Sequence, residues 1–264
     1  MSTKPEAAKV ALVTGSARGI GEAIAIRLAK DGYAVAVSDL PFQTEMGEAV
    51  AAKIKASGGR AIFIPLDVTD REAVFKAVRE TSDKLGGFGL IVNNAGIAPV
   101  DSVLDTTEET MDKLYAINVK GVLWGMQAAA QEFLRNGTKG RILSLASIAG
   151  REGFVQLGAY CATKHSVKAL TQSAARELGK EGILVNCIGP GVVSTPMWKA
   201  IDADLGRLNN KKIGESKAEF GGSIVLGRFQ EPEDVANLAS FFGSPDSSYV
   251  TGQLYIVDGG MRFD

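Results

Sequence analysis

Thr14-Gly15-Ser16-Ala17-Arg18-Gly19-Ile20-Gly21 follows the run Lys9-Val10-Ala11-Leu12-Val13 and leads into Ile20, Ala23, Ile24, Ile26 and Leu28 at helical spacing. A short β-branched run that ends on glycine and opens into an amphipathic pattern predicts a strand–turn–helix junction. In such a junction Gly15 permits a sharp turn, Gly19 lets backbone approach a pyrophosphate, and Gly21 lets helix and strand pack closely. The first helical amides, with Ile20 in the opening turn, then point at the phosphates. The spacing is G-x-x-x-G-x-G, not the general G-x-G-x-x-G, and a purely structural turn is the competing reading.

Outward from this junction the pattern alternates. Strands are predicted at Ala34–Val37, Ala61–Pro65, Leu90–Asn93, Arg141–Leu145, Ile183–Ile188 and Gln253–Val257. Helices are predicted between them: Gln43–Ser57, Asp70–Leu85, a long one from Thr107 towards Gln131 broken near Val119-Lys120-Gly121, Gly158–Gly179, and Pro232–Phe242. Short apolar strands separated by helices read as a parallel sheet buried on both faces. The expectation is an α/β fold, a single Rossmann-type domain over residues 1–264 with a doubly wound parallel sheet and helices on both faces. The stretch from about 192 to 223 is richer in Gly, Asn, Lys and Asp. It follows the sixth strand, where ligands sit in open α/β sheets, so a substrate lid with weak helices is expected there, a surface insertion being the alternative.

The chain has 264 residues, 45% hydrophobic and 22% charged, with 31 glycines and a net charge of -1. That is ordinary globular composition, and it lacks the basic excess that nucleic-acid binding needs. Residues Met1 to Lys9 carry no apolar core of a signal peptide, and the longest apolar runs fall short of a membrane span. Cys161 and Cys187 show no metal-ligand spacing. A cytoplasmic protein without metal, membrane or nucleic-acid partner is expected.

Asp39 closes the second strand. A carboxylate there can accept hydrogen bonds from both adenosine ribose hydroxyls and repel a 2′-phosphate, which favours NAD over NADP. Arg18 pulls the other way, since a cation in the first turn can pair with such a phosphate. Asp39 also suits the start of the turn Asp39-Leu40-Pro41. Asp67-Val68 would reach the adenine, and Asn94-Ala95-Gly96 would leave room for the ribose. Helix capping and turn chemistry, with Gly96 relieving backbone strain, are the alternatives.

Tyr160 and Lys164 stand i,i+4 on a predicted helix and so share a face. A phenol titrates near pH ~10, and a nearby ammonium should bring it closer to working pH as an acid/base. Carbonyl reduction leaves an alkoxide that needs a proton, and alcohol oxidation needs a base. Ser147, ending the fifth strand, can hydrogen-bond the carbonyl oxygen. Each alone is unremarkable, for a serine at a strand end commonly caps a turn. Their order after a nucleotide turn makes them a set. His165, the single histidine, leaves little for a Ser-His-Asp hydrolase and reads as a packing or surface residue.

With T-G-x-x-x-G-I-G, N-N-A-G, Asn118 within Ile117-Asn118-Val119, Ser147, Tyr160-x-x-x-Lys164 and Pro190-Gly191 in this order, the chain resembles the short-chain dehydrogenase/reductase family over essentially its whole length. The resemblance implies that Asn118 holds a water linking Lys164 to solvent as a proton relay. It implies that Lys164 bonds the nicotinamide ribose, and that residues from Pro190 and Gly191 through Val193, Thr195 and Met197 close over the nicotinamide. It further implies a homotetramer with the two long helices at an interface. A narrower resemblance is to the acetoin/diacetyl reductase branch, also called 2,3-butanediol dehydrogenases, carried by Lys120 to Ala129, Thr195 to Asp202, Ile224 to Ala236 and Asp258 to Met261. Ile148 and Phe154 resemble the branch making (S)-acetoin and (2S,3S)-butanediol, and Trp198 would shield a small dicarbonyl from water. Cys161 and His165 depart from the residues more common in those relatives. The expected activity is NADH-dependent reduction of diacetyl or acetoin, with a polyol or sugar-alcohol dehydrogenase and a non-catalytic NAD-binding regulator as the alternatives.

Overall fold

The fold is described from a computed structural model of the chain, covering residues 4–263. The strands are β1 Val10–Thr14, β2 Ala34–Asp39, β3 Arg60–Pro65, β4 Leu90–Asn93, β5 Gly140–Leu145, β6 Ile183–Pro190 and β7 Leu254–Val257. They form one seven-stranded sheet in the order β3-β2-β1-β4-β5-β6-β7. Every pairing is parallel. The helices are α1 Gly19–Lys30, α2 Thr44–Ala56, α3 Arg71–Leu85, α4 Glu108–Tyr115, α5 Gly121–Asn136, α6 Gly158–Leu178, α7 Pro196–Asn209, α8 Glu215–Gly221 and α9 Pro232–Gly243.

Two-residue periodicity sorts the strand side chains into two cores. On β1, Val10 and Leu12 join a cluster with Val74 and Val78 of α3, Val122 and Met126 of α5, and Val167 of α6. Ala11 and Val13 point the other way, to Ile24 and Leu28 of α1, Val50 and Ile54 of α2, and Val235 and Phe242 of α9. Neither face of β1 meets water, as a parallel sheet requires. Local chemistry sets the helix ends. Asp70 accepts from the Ala73 amide at 3.1 Å to cap α3, and Gly86 ends it in the left-handed region at φ 85°.

Three stretches differ from expectation. The break foreseen near Val119-Lys120-Gly121 is a π-helical turn at Ala116–Lys120 that keeps α4 and α5 continuous. Its widened backbone carries Asn118, whose amide bonds outside the helix to Ile97 and Thr163. The sixth strand runs on to Pro190 because β7 continues the register, pairing Ile256 with Gly189 and Val257 with Pro190. The stretch after it holds two well-formed helices, α7 and α8, where only weak ones were expected. Buried Asp202 of α7 explains their cohesion, accepting from the Gly214 amide at 2.5 Å and the Lys217 amide at 2.7 Å across the helix pair.

Gly21 marks where this packing is tightest beside the first turn. A Cβ there would lie 2.3 Å from the Gly15 carbonyl oxygen and 2.6 Å from Asn94 Nδ2. Gly21→Ala is therefore expected to lower stability by about 1–3 kcal/mol despite alanine's better helix propensity. Urea unfolding should show this as a lower midpoint with an unchanged slope.

Candidate active site

The sheet order reverses direction between β1 and β4, and the carboxyl ends of β1, β2, β4, β5 and β6 border a cleft of about 1050 Å³. Gly15, Arg18, Gly19, Ile20, Gly21, Asp39, Asp67, Val68, Asn94, Ala95 and Gly96 line it from the β1–β4 side. Ser147, Ile148, Phe154, Tyr160, Lys164, Pro190, Gly191, Val193, Thr195, Met197 and Trp198 line it from the β5–β6 side. Asn118 alone of the sequence-derived residues stands behind the wall, completely buried.

The glycine-rich turn is held by hydrogen bonds to its neighbours. Asn94 Nδ2 donates to the carbonyls of Thr14 and Gly15 at 2.9 Å each, and Thr14 Oγ1 accepts from the amides of Asn94 and Ala95 at 3.1 Å. Ser16 Oγ donates to Val13 at 2.7 Å and accepts from the Ser38 amide at 2.9 Å. Gly15 and Gly19 lie at φ +63° and +61°, a region that disfavours side chains. A Cβ on Gly19 would meet only the Thr195 side chain, at 3.6 Å. No side chain caps α1, whose cap residue is Arg18. Uncapped amides beside open space fit the phosphates of a dinucleotide.

Asp39 and Asp67 both serve the backbone. Asp39 Oδ2 accepts from the Ala17 amide at 3.0 Å and Oδ1 from its neighbour Leu40 at 2.9 Å, so the turn reading holds while the carboxylate still faces the cleft. Asp67 Oδ1 takes the amide and hydroxyl of Thr69 at 2.9 and 2.8 Å. The strain reading of Gly96 fails, since its φ is not in the left-handed region. Close approach explains it instead: a Cβ would lie 3.2 Å from Asn118 Oδ1 and 3.8 Å from Lys164 Nζ.

At the chemical end, Ser147 caps the short turn Ile148–Gly150 by accepting from the Ala149 amide at 3.1 Å, and its hydroxyl lies on the Tyr160 side of the cleft, where it acts to lower the phenol's pKa. Lys164 Nζ donates to the Leu145 carbonyl at 2.7 Å and lies 5.5 Å from the Tyr160 ring centroid. Asn118 Oδ1 accepts from the Ile97 amide at 3.0 Å, while Nδ2 donates to the Ile97 carbonyl at 2.9 Å and to Thr163 Oγ1 at 3.2 Å. Thr163 in turn donates to the Tyr160 carbonyl at 2.7 Å. Asn118 and Thr163 are thus tied to the Tyr160 backbone, while Lys164 is held separately by Leu145. Cys161 lies buried, its sulfur accepting from the Phe154 amide at 3.3 Å. His165 faces outward, Nδ1 bonded to the Cys161 carbonyl at 2.9 Å.

The side chains around Tyr160 are apolar. Phe220 of α8 packs against Trp198 at 5.2 Å between centroids and against Phe154 at 6.1 Å, and Leu157 and Ile201 belong to the same cluster. Met261 from the C-terminal turn joins Ile148, Trp198 and Phe220 in the adjoining cluster. Sequence reasoning missed Phe220, Met261, Thr163 and the exposed Phe42 near Asp39. Thr163 had a usable signal, a hydroxyl on the Tyr160–Lys164 helix next to the lysine. Phe220 had none, because α8 reaches the cleft only by folding back on α7.

Residues 15–262 match the family model described as Enoyl-(Acyl carrier protein) reductase. The chain is 49% identical to an L-2,3-butanediol dehydrogenase from Corynebacterium glutamicum over 256 residues, covering 97% of this chain and 99% of that one. It is 43% identical to a diacetyl reductase [(S)-acetoin forming] from Staphylococcus epidermidis, covering 97% and 99%. A crystal structure of a dehydrogenase/reductase from Sinorhizobium meliloti 1021 superimposes with a TM-score of 0.87 at 34% identity, covering 98% and 97%. The chain belongs to the short-chain dehydrogenase/reductase family. It is an oxidoreductase acting on CH–OH donors and their carbonyl counterparts, with a nicotinamide cofactor. No helix among the described residues is long and apolar enough to cross a membrane.

In this dehydrogenase the proton equilibria run opposite to the sequence expectation. Burial pushes the Tyr160 phenol up to about 12, with the Ser147 hydrogen bond only partly offsetting it. Burial also lowers Lys164 from 10.5 to about 8. Desolvation disfavours both charged forms and is the largest influence on each. Between pH 8 and 10.5 the unfolded chain holds a proton on Lys164 that the folded one has released, so this group makes stability rise with pH across that window. The full effect is on the order of 3 kcal/mol. Lys164→Met should remove it, which unfolding free energies of enzyme and variant at about pH 8 and pH 10 would reveal; parallel profiles would mean the lysine stays charged.

Proposed function

We propose that the enzyme reduces small vicinal dicarbonyls and hydroxyketones, diacetyl and acetoin foremost, with NADH. The observation that carries this reading is the apolar chamber around Tyr160. Phe154, Leu157, Trp198, Ile201 and Phe220 supply its bulk, and the Ser147 and Tyr160 hydroxyls supply hydrogen bonds to a carbonyl. A polyol or ketose would leave several hydroxyls unpaired against those rings, which costs more than the burial returns. The names of the butanediol dehydrogenase and diacetyl reductase relatives agree with this chemistry, and Ile148 and Phe154 beside the hydroxyls favour the (S)-specific branch.

Gly19 and Gly191 would hold the nicotinamide cofactor, which would supply the hydride. The chain's own residues do the rest. Ser147 holds the carbonyl oxygen in place. Tyr160 delivers its phenolic proton to the alkoxide forming on the substrate, and burial suits it to this by keeping the phenol protonated. Lys164 draws the phenolate charge that results, and Asn118, near Lys164 beside Gly96, holds the water that links the lysine to solvent. The segment 192–223, with α7 and α8, acts as the lid that excludes water. Asp39, fixed at the adenosine end, disfavours a 2′-phosphate, and Arg18 forms no ion pair with this carboxylate among the described residues. The family's homotetrameric assembly belongs to the same reading, and the fully exposed Tyr249 and the outer strand β7 suit burial against a second copy.

Following NADH and NADPH oxidation with diacetyl, acetoin and a panel of ketoses tests the substrate class; faster turnover of ketoses would transfer the enzyme to the polyol group. Tyr160→Phe should keep NADH affinity and lose turnover by about 10²–10⁴-fold, measured by fluorescence titration and steady-state rates. Asp39→Ala should raise the NADPH/NADH ratio of kcat/KM, and an unchanged ratio would point to another group as the discriminator.

A further inference from the structure

Gln230, between the Arg228 turn and α9, is 7% exposed and does not line the cleft. It is nevertheless joined to the wall of the cleft at three points. Its amide donates to the Val192 carbonyl at 3.1 Å, and its carbonyl accepts from the Ser194 amide at 2.8 Å, making a parallel bridge with Val193. Its side-chain Oε1 accepts from the Gly191 amide at 3.0 Å. Its Nε2 is buried without any partner.

A buried amide with unpaired N–H groups is unfavourable, and methionine, of similar size, would fill the same space without that cost. The side chain's return is therefore the bond from its oxygen to Gly191. On its other side Gly191 is boxed by Asp258, whose Cβ would be 2.8 Å from a Cβ on the glycine, and its amide also donates to Val257 at 3.1 Å. The stretch so clamped contributes Gly191, Val193 and Thr195 to the cleft, and Thr195 caps α7 through the Trp198 amide at 3.4 Å. The root of α7 and this wall of the cleft thus share one mount.

We propose that Gln230 is a positioning residue that fixes Gly191–Thr195 for the nicotinamide half of the cofactor through its side-chain oxygen. This rests on the dinucleotide reading of the cleft given above. Among the described residues Gln230 makes no hydrogen bond to the adenosine end, built on Gly15–Gly21 and Asp39, so the two halves should respond differently to its loss.

The test is a titration of NADH and of ADP-ribose, which lacks the nicotinamide, against the full-length enzyme, Gln230→Met and Gln230→Ala. Both variants should weaken NADH about tenfold (about 1.4 kcal/mol) and leave ADP-ribose affinity unchanged, which also reports that they are folded. The KM for NADH should rise more than kcat falls. NADH affinity restored in Gln230→Met would mean the side chain serves only as packing and would overturn the proposal. Equal weakening of NADH and ADP-ribose would overturn it too, by showing a general disturbance of the cleft. Absence of NADH binding to the unmodified enzyme would overturn the dinucleotide reading itself, and this proposal with it.

Discussion

A parallel sheet that can leave neither face in water is the constraint from which the remaining structure follows. The alternating side chains of β1 and its neighbours are buried on both sides, so helices must cover both. Crossovers of one hand then deliver every strand to the same edge. Polar backbone at the strand ends has nowhere else to meet a ligand. Asp39, Asn94, Ser147 and Pro190, far apart in the chain, gather there because their strands end there.

Burial governs the chemistry as well. Lys164 and Tyr160 sit on α6 against the end of β5, where Leu145 offers its carbonyl to the ammonium and Ser147 its hydroxyl to the phenol. The low-dielectric surroundings resist charge on both, holding the phenol protonated and the lysine close to releasing its proton. A pair read only by its i,i+4 spacing suggests mutual attraction; the packing around it makes desolvation the larger effect. Asn118 owes its place to the π-helical turn, which lets its amide face Ile97 and Thr163 from inside a helix.

The cleft's far wall is assembled from late parts of the chain. α7 and α8 are joined by Asp202, the C-terminal turn is held by Asp258 accepting from Gly260 and Arg262, and Arg228 grips Asp234 at the start of α9 through two hydrogen bonds at 2.7 and 2.8 Å. These contacts bring Trp198, Phe220 and Met261 together over Ile148. They turn a polar-looking insertion into an apolar chamber.

Sequence alone determined the strand–turn–helix junction, the parallel sheet, the single domain and the order Asn118, Ser147, Tyr160, Lys164, because these are written in local periodicity, in the succession of elements and, for Tyr160 and Lys164, in a spacing along one helix. Every site residue it singled out except Asn118 lines the cleft, since strand ends converge in any doubly wound sheet. Tertiary structure decided what depends on contacts between distant segments: the continuity of α4 and α5 around Asn118, the role of Gly96 as close approach, the direction of the Tyr160 and Lys164 equilibria, and the arrival of Phe220 and Gln230 beside the site. No periodicity encodes these. Burial and hydrogen-bond partners are properties of the packed molecule, and they exist only once segments remote in sequence have met.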